Sequence, residues 1–161
     1  MGYLNHRSKQ EVLKKMRSWC DYRLRSHYDV RKKLYALGLW KKDVEELLAQ
    51  LIEEEHVNEG RFATAYAEER FKIEKWGKQK IRQHLKQRRV SDYCVKEATK
   101  DINESTYLVN LHRLAVQKWE GLKGNSLFIR MRKTRDYLLQ KGYESNLVWD
   151  ILGKLKKGEE L

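Results

Sequence analysis

The sequence contains no proline among its 161 residues and only nine glycines. Proline removes a backbone donor and breaks helix interiors, whereas an all-β domain needs many turn residues. The shortage of both residue types therefore argues against an all-β fold and favours a chain that is nearly all helix. We expect at least about 70% helix and no sheet, far above the one-third that is usual in soluble domains.

Cysteine is almost as scarce, since Cys20 and Cys94 stand alone and belong to no CxxC or His/Cys cluster. A structural zinc site needs four ligands, so we expect no metal and two free thiols in a reducing cytosol. The phosphate-binding motifs GxxxxGK(S/T) and GxGxxG are missing, as is HExxH. The sequence therefore predicts a protein that is not an enzyme, with no catalytic residues and no cofactor.

Long hydrophobic runs are also missing. No window approaches the 18 apolar residues that a membrane-spanning helix requires, and the first ten residues lack the apolar run of a signal peptide. We therefore expect a cytoplasmic protein without membrane contact.

What the chain has in excess is positive charge. Lys and Arg number 35 against 23 Asp and Glu, which gives a net charge of +12. Such an excess favours polyanionic partners, whether nucleic acid, an acidic protein surface or anionic lipid. The charge alone does not choose among these three.

The strongest pattern is a repeat of about 50 residues, a length typical of helical repeat proteins. Leu34, Leu85 and Leu138 occupy equivalent positions in three copies, and mostly apolar residues recur at fixed distances from each leucine. Spacings of i, i+3, i+4 and i+7 place such residues on one face of a helix. The other equivalent sets are Val30, Ile81 and Thr134; Leu39, Val90 and Tyr143; Val44, Val95 and Val148; Leu47, Ala98 and Ile151; and Leu51, Ile102 and Leu155.

The repeat also predicts where helices begin and end. Gly38 and Gly142 follow their leucines at the position where a left-handed helix end favours glycine. The middle copy has Arg89 there, so we expect its turn to be built differently. Asn58 and Asn103 are candidate helix N-caps. A further helix precedes each leucine helix, carried in the first copy by Leu13, Met16, Cys20 and Leu24.

These patterns together predict an all-α fold of three tandem three-helix repeats. The repeats are expected at residues 10–56, 57–102 and 103–156, forming an elongated, curved array because each unit is too small to bury its core alone.

Basic residues concentrate between Arg70 and Arg89, where nine Lys and Arg face one acid, Glu74. If Ile81 and Leu85 point inward, then helical geometry makes Lys80, Gln83 and Lys86 point outward, with Arg82 on a flank. This helix is a candidate binding surface for phosphate groups or for an acidic protein surface. An ordinary solvated face is the alternative. The candidate interaction residues in this segment are Lys75, Lys78, Lys80, Arg82, Lys86, Arg88 and Arg89.

Arg31, Arg82 and Arg135 hold one repeat position, three residues before each leucine. Regular stacking would align them in a row, and local pairing with carboxylates is the competing interpretation. Trp76 lies in the basic segment, where it could stack on a nucleotide base. Packing between helices is the interpretation that we favour for it.

Three segments have a distinctive sequence: Ser26–Leu34 with Gly38-Leu39, Arg61-Phe62-Ala63 with Ala65-Tyr66 and Arg70, and Trp76–Leu85. They resemble the RecX family of bacterial recombination regulators. The resemblance extends over about residues 10–156 and implies three tandem three-helix repeats. It also implies that the protein binds the RecA–DNA filament and lowers RecA's ATPase, strand-exchange and coprotease activities. Lys78, Lys80, Arg82 and Lys86 would belong to the basic face that engages the filament.

The RecA recombinase filament is therefore the expected partner, with single-stranded DNA as a second one and the protein acting as a monomer. A general helical DNA- or RNA-binding protein is the alternative function. A helical enzyme with an unrecognised site is a third and remote hypothesis.

Overall fold

The computed structural model describes residues 6–158, with side chains from residue 8 onward. Within these residues the fold consists of nine α-helices and no strand, and 77% of them are helical. The predictions of an all-α fold and of at least 70% helix are therefore confirmed. The helices are α1 His6–Tyr22, α2 His27–Ala36, α3 Lys41–Glu53, α4 Glu59–Lys72, α5 Lys78–Gln87, α6 Asp92–Lys100, α7 Glu104–Gly121, α8 Leu127–Gln140 and α9 Ser145–Lys157.

The helices group into two compact units. The first unit holds the described residues up to Tyr66 together with Leu85–Ala98, and the second holds Ala67–His84 together with the described residues from Thr99 onward. Helices α4, α5 and α6 therefore contribute residues to both units. In the first unit α3 packs against both α1 and α2, and in the second α7, α8 and α9 pack against one another.

The first helix ends earlier than its apolar spacing predicted. Leu13, Met16 and Cys20 are buried in the core of the first unit, but Leu24 is exposed and lies beyond the end of α1. The cause is the start of the next helix. The Ser26 hydroxyl accepts a hydrogen bond from the backbone N–H of Asp29, and the Asp29 carboxylate accepts one from the Ser26 N–H. This capping box fixes the start of α2, so α1 has to end before Ser26, and it ends at Tyr22.

The apolar positions of the repeat form the cores of both units. Leu34, Leu85 and Leu138 have no exposed surface, and nearly all of their equivalent residues are buried. Ile102, in the turn after α6, is half-buried. Full burial of one leucine contributes roughly 1.5–3 kcal/mol, so these positions stabilise each unit more than surface contacts do.

Both predicted asparagine caps are present. The Asn58 side-chain oxygen accepts a hydrogen bond of 2.8 Å from the Arg61 N–H. The Asn103 side chain accepts one of 2.9 Å from the Thr106 N–H. Each cap satisfies one of the backbone donors that a helix start leaves without an intrahelical partner.

The turn of the middle copy is built like the other two, and the prediction of a different turn was wrong. Arg89 adopts a left-handed φ of 55°, where Gly38 and Gly142 have 89° and 99°. The same backbone hydrogen bond closes all three turns, from Leu39 to Leu34, Val90 to Leu85 and Tyr143 to Leu138. A left-handed conformation costs a residue with a Cβ roughly 1–2 kcal/mol. The turn therefore keeps its geometry at an energetic cost, because the apolar residue after it must reach the core.

An Arg89→Gly substitution should relieve this strain. We expect the free energy of unfolding to rise by up to about 1 kcal/mol, because glycine adopts the left-handed region without a Cβ penalty. Urea denaturation of Arg89→Gly and Arg89→Ala proteins separates strain from side-chain contacts, since alanine removes the side chain but keeps the Cβ. A glycine variant no more stable than the alanine variant would contradict the strained turn.

Candidate functional site

The start of helix α5 is held by residues far away in sequence. The N–H of Gly77 donates a hydrogen bond of 2.8 Å to the Lys141 carbonyl, and the N–H of Gln79 donates one of 3.0 Å to the Gly142 carbonyl. Between them, the Lys78 N–H donates to the Tyr107 hydroxyl at 3.0 Å. Helix starts usually satisfy such donors with a local cap or water. Here the turn after α8 and a side chain of α7 take that role, so they set the position of α5.

A buried polar network supports this junction within the second unit. The Tyr107 hydroxyl donates to the Glu144 carboxylate at 2.9 Å, and the Tyr143 hydroxyl donates to the Lys75 carbonyl at 2.6 Å. Burial raises the pKa of both Tyr107 and Tyr143 above the ordinary tyrosine value. Both hydroxyls therefore stay protonated at neutral pH and remain donors.

Gly77 and Gly142 allow two stretches of backbone to touch. A Cβ on Gly77 would lie closer than 3.0 Å to the backbone of Gly142 and Tyr143. A Cβ on Gly142 would meet Lys80 in the same way, and Gly142 also has a left-handed φ. Since backbone atoms cannot rotate away as a side chain can, this close approach requires glycine on both sides.

Lys78 and Lys80 are half-buried, and the prediction that Lys80 points outward was wrong. The Lys80 Nζ lies 4.4 Å from the centre of the Trp76 ring, and the Lys78 Nζ lies 4.8 Å from the centre of the Tyr107 ring. Lys78 is also 3.4 Å from the Glu104 carboxylate. Helical geometry does place Lys80 away from Ile81 and Leu85. That side of α5 is nevertheless covered, because the backbone at Gly142 lies against Lys80.

The Trp76 ring is a packed side chain, as favoured from the sequence. Only 8% of it is exposed, and the His84 ring centre lies 4.6 Å away. The Arg70 guanidinium also stands over it at 5.2 Å. A ring covered by these groups and by Lys80 cannot stack on a nucleotide base.

Four of the candidate cations of this segment are exposed, namely Lys75, Arg82, Lys86 and Arg89. The Lys86 Nζ lies 4.0 Å from the Asp92 carboxylate, and both side chains are mostly in solvent. The Arg82 Nε donates to the Thr99 hydroxyl at 3.1 Å, which fixes its direction. Lys75 has a left-handed φ of 59° and donates from Nζ to the Lys72 carbonyl. Because α5 is one continuous helix, Arg82 and Lys86 stand one turn apart on the same face.

Arg88 and Arg89 lie over tyrosine rings of the first unit. The Arg88 guanidinium is 5.0 Å from the Tyr66 ring centre, and that of Arg89 is 5.5 Å from Tyr28. Cation–π contacts at exposed sites are weak, roughly 0.5–1 kcal/mol. Arg89 is exposed and can therefore turn toward a partner at little cost, whereas Arg88 is half-buried.

Arg31 and Arg135 have carboxylate partners nearby. The Arg31 Nε donates to Glu45 at 2.8 Å, and the Arg135 Nε donates to Asp136 at 3.0 Å. The Arg31 hydrogen bond lowers the pKa of Glu45 and raises that of Arg31. At these two positions each arginine therefore pairs with a local carboxylate, which is one of the two interpretations that the sequence left open.

The described residues contain no group of three or more His, Cys, Asp or Glu side chains placed to hold a metal ion. Cys20 is buried and Cys94 half-buried, both as free thiols. Burial raises the pKa of Cys20 to about 11, so its thiol is a poor nucleophile at neutral pH. Among residues 6–158, no helix is long and apolar enough to cross a membrane.

Two family models match the chain. The model described as "RecX, second three-helix domain" matches residues 58–98, and "RecX, third three-helix domain" matches residues 105–152. Together the two matches cover more than half of the chain. The second includes all of α8 and the larger part of α9, and the first includes all of α5.

Curated relatives named "Regulatory protein RecX" match most of the chain at low identity. The Thermotoga maritima protein is 25% identical over 139 residues, which are 86% of this chain and 81% of that protein. The Prosthecochloris aestuarii protein is 24% identical and shares 91% of this chain and 94% of its own length. The Bacillus cytotoxicus protein is 19% identical and matches over 89% of this chain but only 53% of its own length.

Two solved structures have the same fold. One, titled "Crystal structure of regulatory protein RecX", aligns with a TM-score of 0.82 at 20% identity and covers 91% of this chain and 71% of its own. The other, RecX from Lactobacillus salivarius, aligns with a TM-score of 0.81 at 19% identity and covers 92% of this chain and 97% of its own. Identities this low support the shared fold alone.

Proposed function

Because the chain belongs to the RecX family of regulatory proteins, we propose that it binds the filament that RecA forms on DNA and inhibits it. Binding would limit filament growth or promote disassembly, and so lower RecA's ATPase, strand-exchange and coprotease activities. The protein would act in the cytoplasm, as a monomer and without chemistry of its own. Family membership is the observation that carries this proposal.

The exposed cations are the residues that we assign to the contact. The net charge of +12 attracts a filament whose DNA carries one negative charge per phosphate. Arg82 and Lys86 present their charges on one face of α5, and Lys75, Arg88 and Arg89 are exposed or weakly held. Lys78 and Lys80 are held over aromatic rings, so they act mainly through their positive field. Arg31 and Arg135 would have to leave their carboxylate partners to take part.

Hydrolysis of ATP by the cognate RecA on single-stranded DNA tests the proposal. Sub-stoichiometric amounts of this protein should slow hydrolysis, because a block at a growing end or within a filament affects many subunits. The protein alone should hydrolyse no ATP. Inhibition should weaken on the order of 100-fold between low and physiological salt, because several phosphate contacts release counterions. Unchanged hydrolysis at equimolar protein and low salt would contradict the function.

A second candidate function is general binding to DNA or RNA, favoured by the charge of +12 and by the exposed arginines. The two functions predict different effects on RecA: only the first requires that the protein slow RecA's ATPase. Salt-dependent binding to an oligonucleotide, without any effect on RecA's ATPase, would support the second function and exclude the first.

A further inference from the structure

Helices α8 and α9 leave an open groove on the surface of the second unit. The groove has a volume of about 470 Å³, within the range of roughly 300–1,000 Å³ that ligand sites occupy. The described residues that line it all come from these two helices. They are Leu127, Phe128, Met131, Arg132, Arg135, Trp149 and Lys156.

The apolar part of the lining is unusually exposed. Phe128 has 72% of its surface in solvent and Trp149 has 54%. Leu127 is 47% exposed, and Met131 is half-buried beside it. Neighbouring aromatic, leucine and methionine side chains in solvent mark interaction surfaces, because a folded chain gains by covering them.

The polar part of the lining is positive. Arg132 stands 5.8 Å from the Phe128 ring centre, and Arg135 stands 5.9 Å from that of Trp149. Lys156 is the third cation, and none of the lining residues that lie within the described part of the chain is acidic. An occupant must therefore offer apolar side chains for the floor and negative charges for the edges.

The geometry points to a peptide ligand: a short segment of a partner protein with two bulky apolar residues flanked by Asp or Glu. The apolar side chains would fill the space between Phe128, Met131 and Trp149, and the carboxylates would meet Arg132 and Lys156. This assignment concerns a different surface from the cations of α5 and does not rest on the proposed function.

Single-stranded nucleic acid fits this groove less well. Binding of that kind needs a track of cations along a phosphate backbone and flat rings for successive bases. The groove has three cations, one of which already pairs with Asp136. The two rings that line it, Phe128 and Trp149, give a strand only two stacking positions, and Leu127 and Met131 beside them offer none.

A display library of random 16-residue peptides tests the assignment in the absence of RecA and DNA. Peptides selected on the parent protein and counter-selected on Phe128→Glu should share two bulky apolar residues and a net negative charge. The best of them, synthesised with a fluorescent label, should bind at least tenfold more weakly to Phe128→Glu in an anisotropy titration. Arg132→Glu should also weaken it, and raised salt should do the same.

Tyr93→Glu is the matched control. Tyr93 is 73% exposed and is the second residue of α6, just as Phe128 is the second residue of α8. A glutamate in the first turn of a helix interacts favourably with its dipole, so both variants should fold. Tyr93→Glu should leave the affinity for the peptide unchanged.

Four results would overturn the assignment. The selection could give no peptides that prefer the parent protein, or it could give basic ones. An oligothymidine could bind in a way that Phe128→Glu abolishes while no acidic peptide binds, which would make the groove a nucleic-acid surface. Sedimentation could show a dimer that only Phe128→Glu dissociates, in which case a second copy is the occupant.

Discussion

A Gly77→Ala protein should lose about 3 kcal/mol or more of its free energy of unfolding, because overpacking against rigid neighbours costs this much at the high end. The added Cβ would overlap the Gly142 carbonyl group and the Tyr143 nitrogen. Relief requires the loop before α5 to move away from the turn after α8. That movement would break the hydrogen bonds that Gly77 and Gln79 donate to Lys141 and Gly142. Urea denaturation followed by circular dichroism measures the loss.

Gly153→Ala is the control for this experiment. Gly153 lies in α9, and a Cβ built there meets nothing within 4 Å. Alanine in a helix interior is favoured over glycine by about 1 kcal/mol, so this variant should be more stable than the parent. The two substitutions make the same chemical change with opposite expected signs. Equal stability of Gly77→Ala and the parent would mean that the two backbone segments do not touch.

An Arg82→Glu/Lys86→Glu protein should require at least about tenfold more protein to inhibit RecA's ATPase. Like charges placed against an acidic partner add repulsion as well as removing attraction. The free energy of unfolding should fall by roughly 1 kcal/mol, because the variant loses the hydrogen bond from Arg82 to Thr99. Surface substitutions otherwise stay within about 0.5 kcal/mol each, so the protein should remain folded. The measurement is the protein concentration that gives half-maximal inhibition of RecA's ATPase at fixed salt, and a melting curve verifies that the variant is folded.

Lys14→Glu/Lys15→Glu provides a matched control on α1. Both lysines are exposed, and the change in net charge is the same as in the α5 variant. A general charge effect would weaken inhibition equally in both proteins. Inhibition by the α5 variant at the parent's level would remove this helix from the contact surface.

The helical repeat could be predicted because many sequence positions indicate it independently. The lack of proline and the asparagine caps reflect local backbone geometry. The repeated leucines reflect burial, which the spacing of apolar residues reports directly. Leu24 was assigned to α1 because spacing continues past a helix end, whereas the end itself is set by the Ser26 cap. Arg89 was misjudged because a local preference for glycine can be outweighed by the burial of Val90.

The candidate site was only partly predictable, because half of it depends on residues distant in sequence. The outward direction of Lys86 follows from helical angles alone. Lys80 is half-covered because Gly142, 62 positions later in the sequence, approaches its backbone. The aromatic groove between α8 and α9 was missed, because Phe128 and Trp149 each look like core residues until the packing of both helices is known.

The tertiary capping of α5 has a consequence for how the protein unfolds. In a simple tandem array each copy contacts its neighbours, and removing copies from one end leaves the rest folded. Here the acceptors for Gly77, Lys78 and Gln79 all come from the chain beyond Glu104. Their amide protons should therefore exchange with solvent only when that later part opens. The first half of α5 and helices α7 to α9 then form one cooperative unit, and the chain cannot be shortened copy by copy.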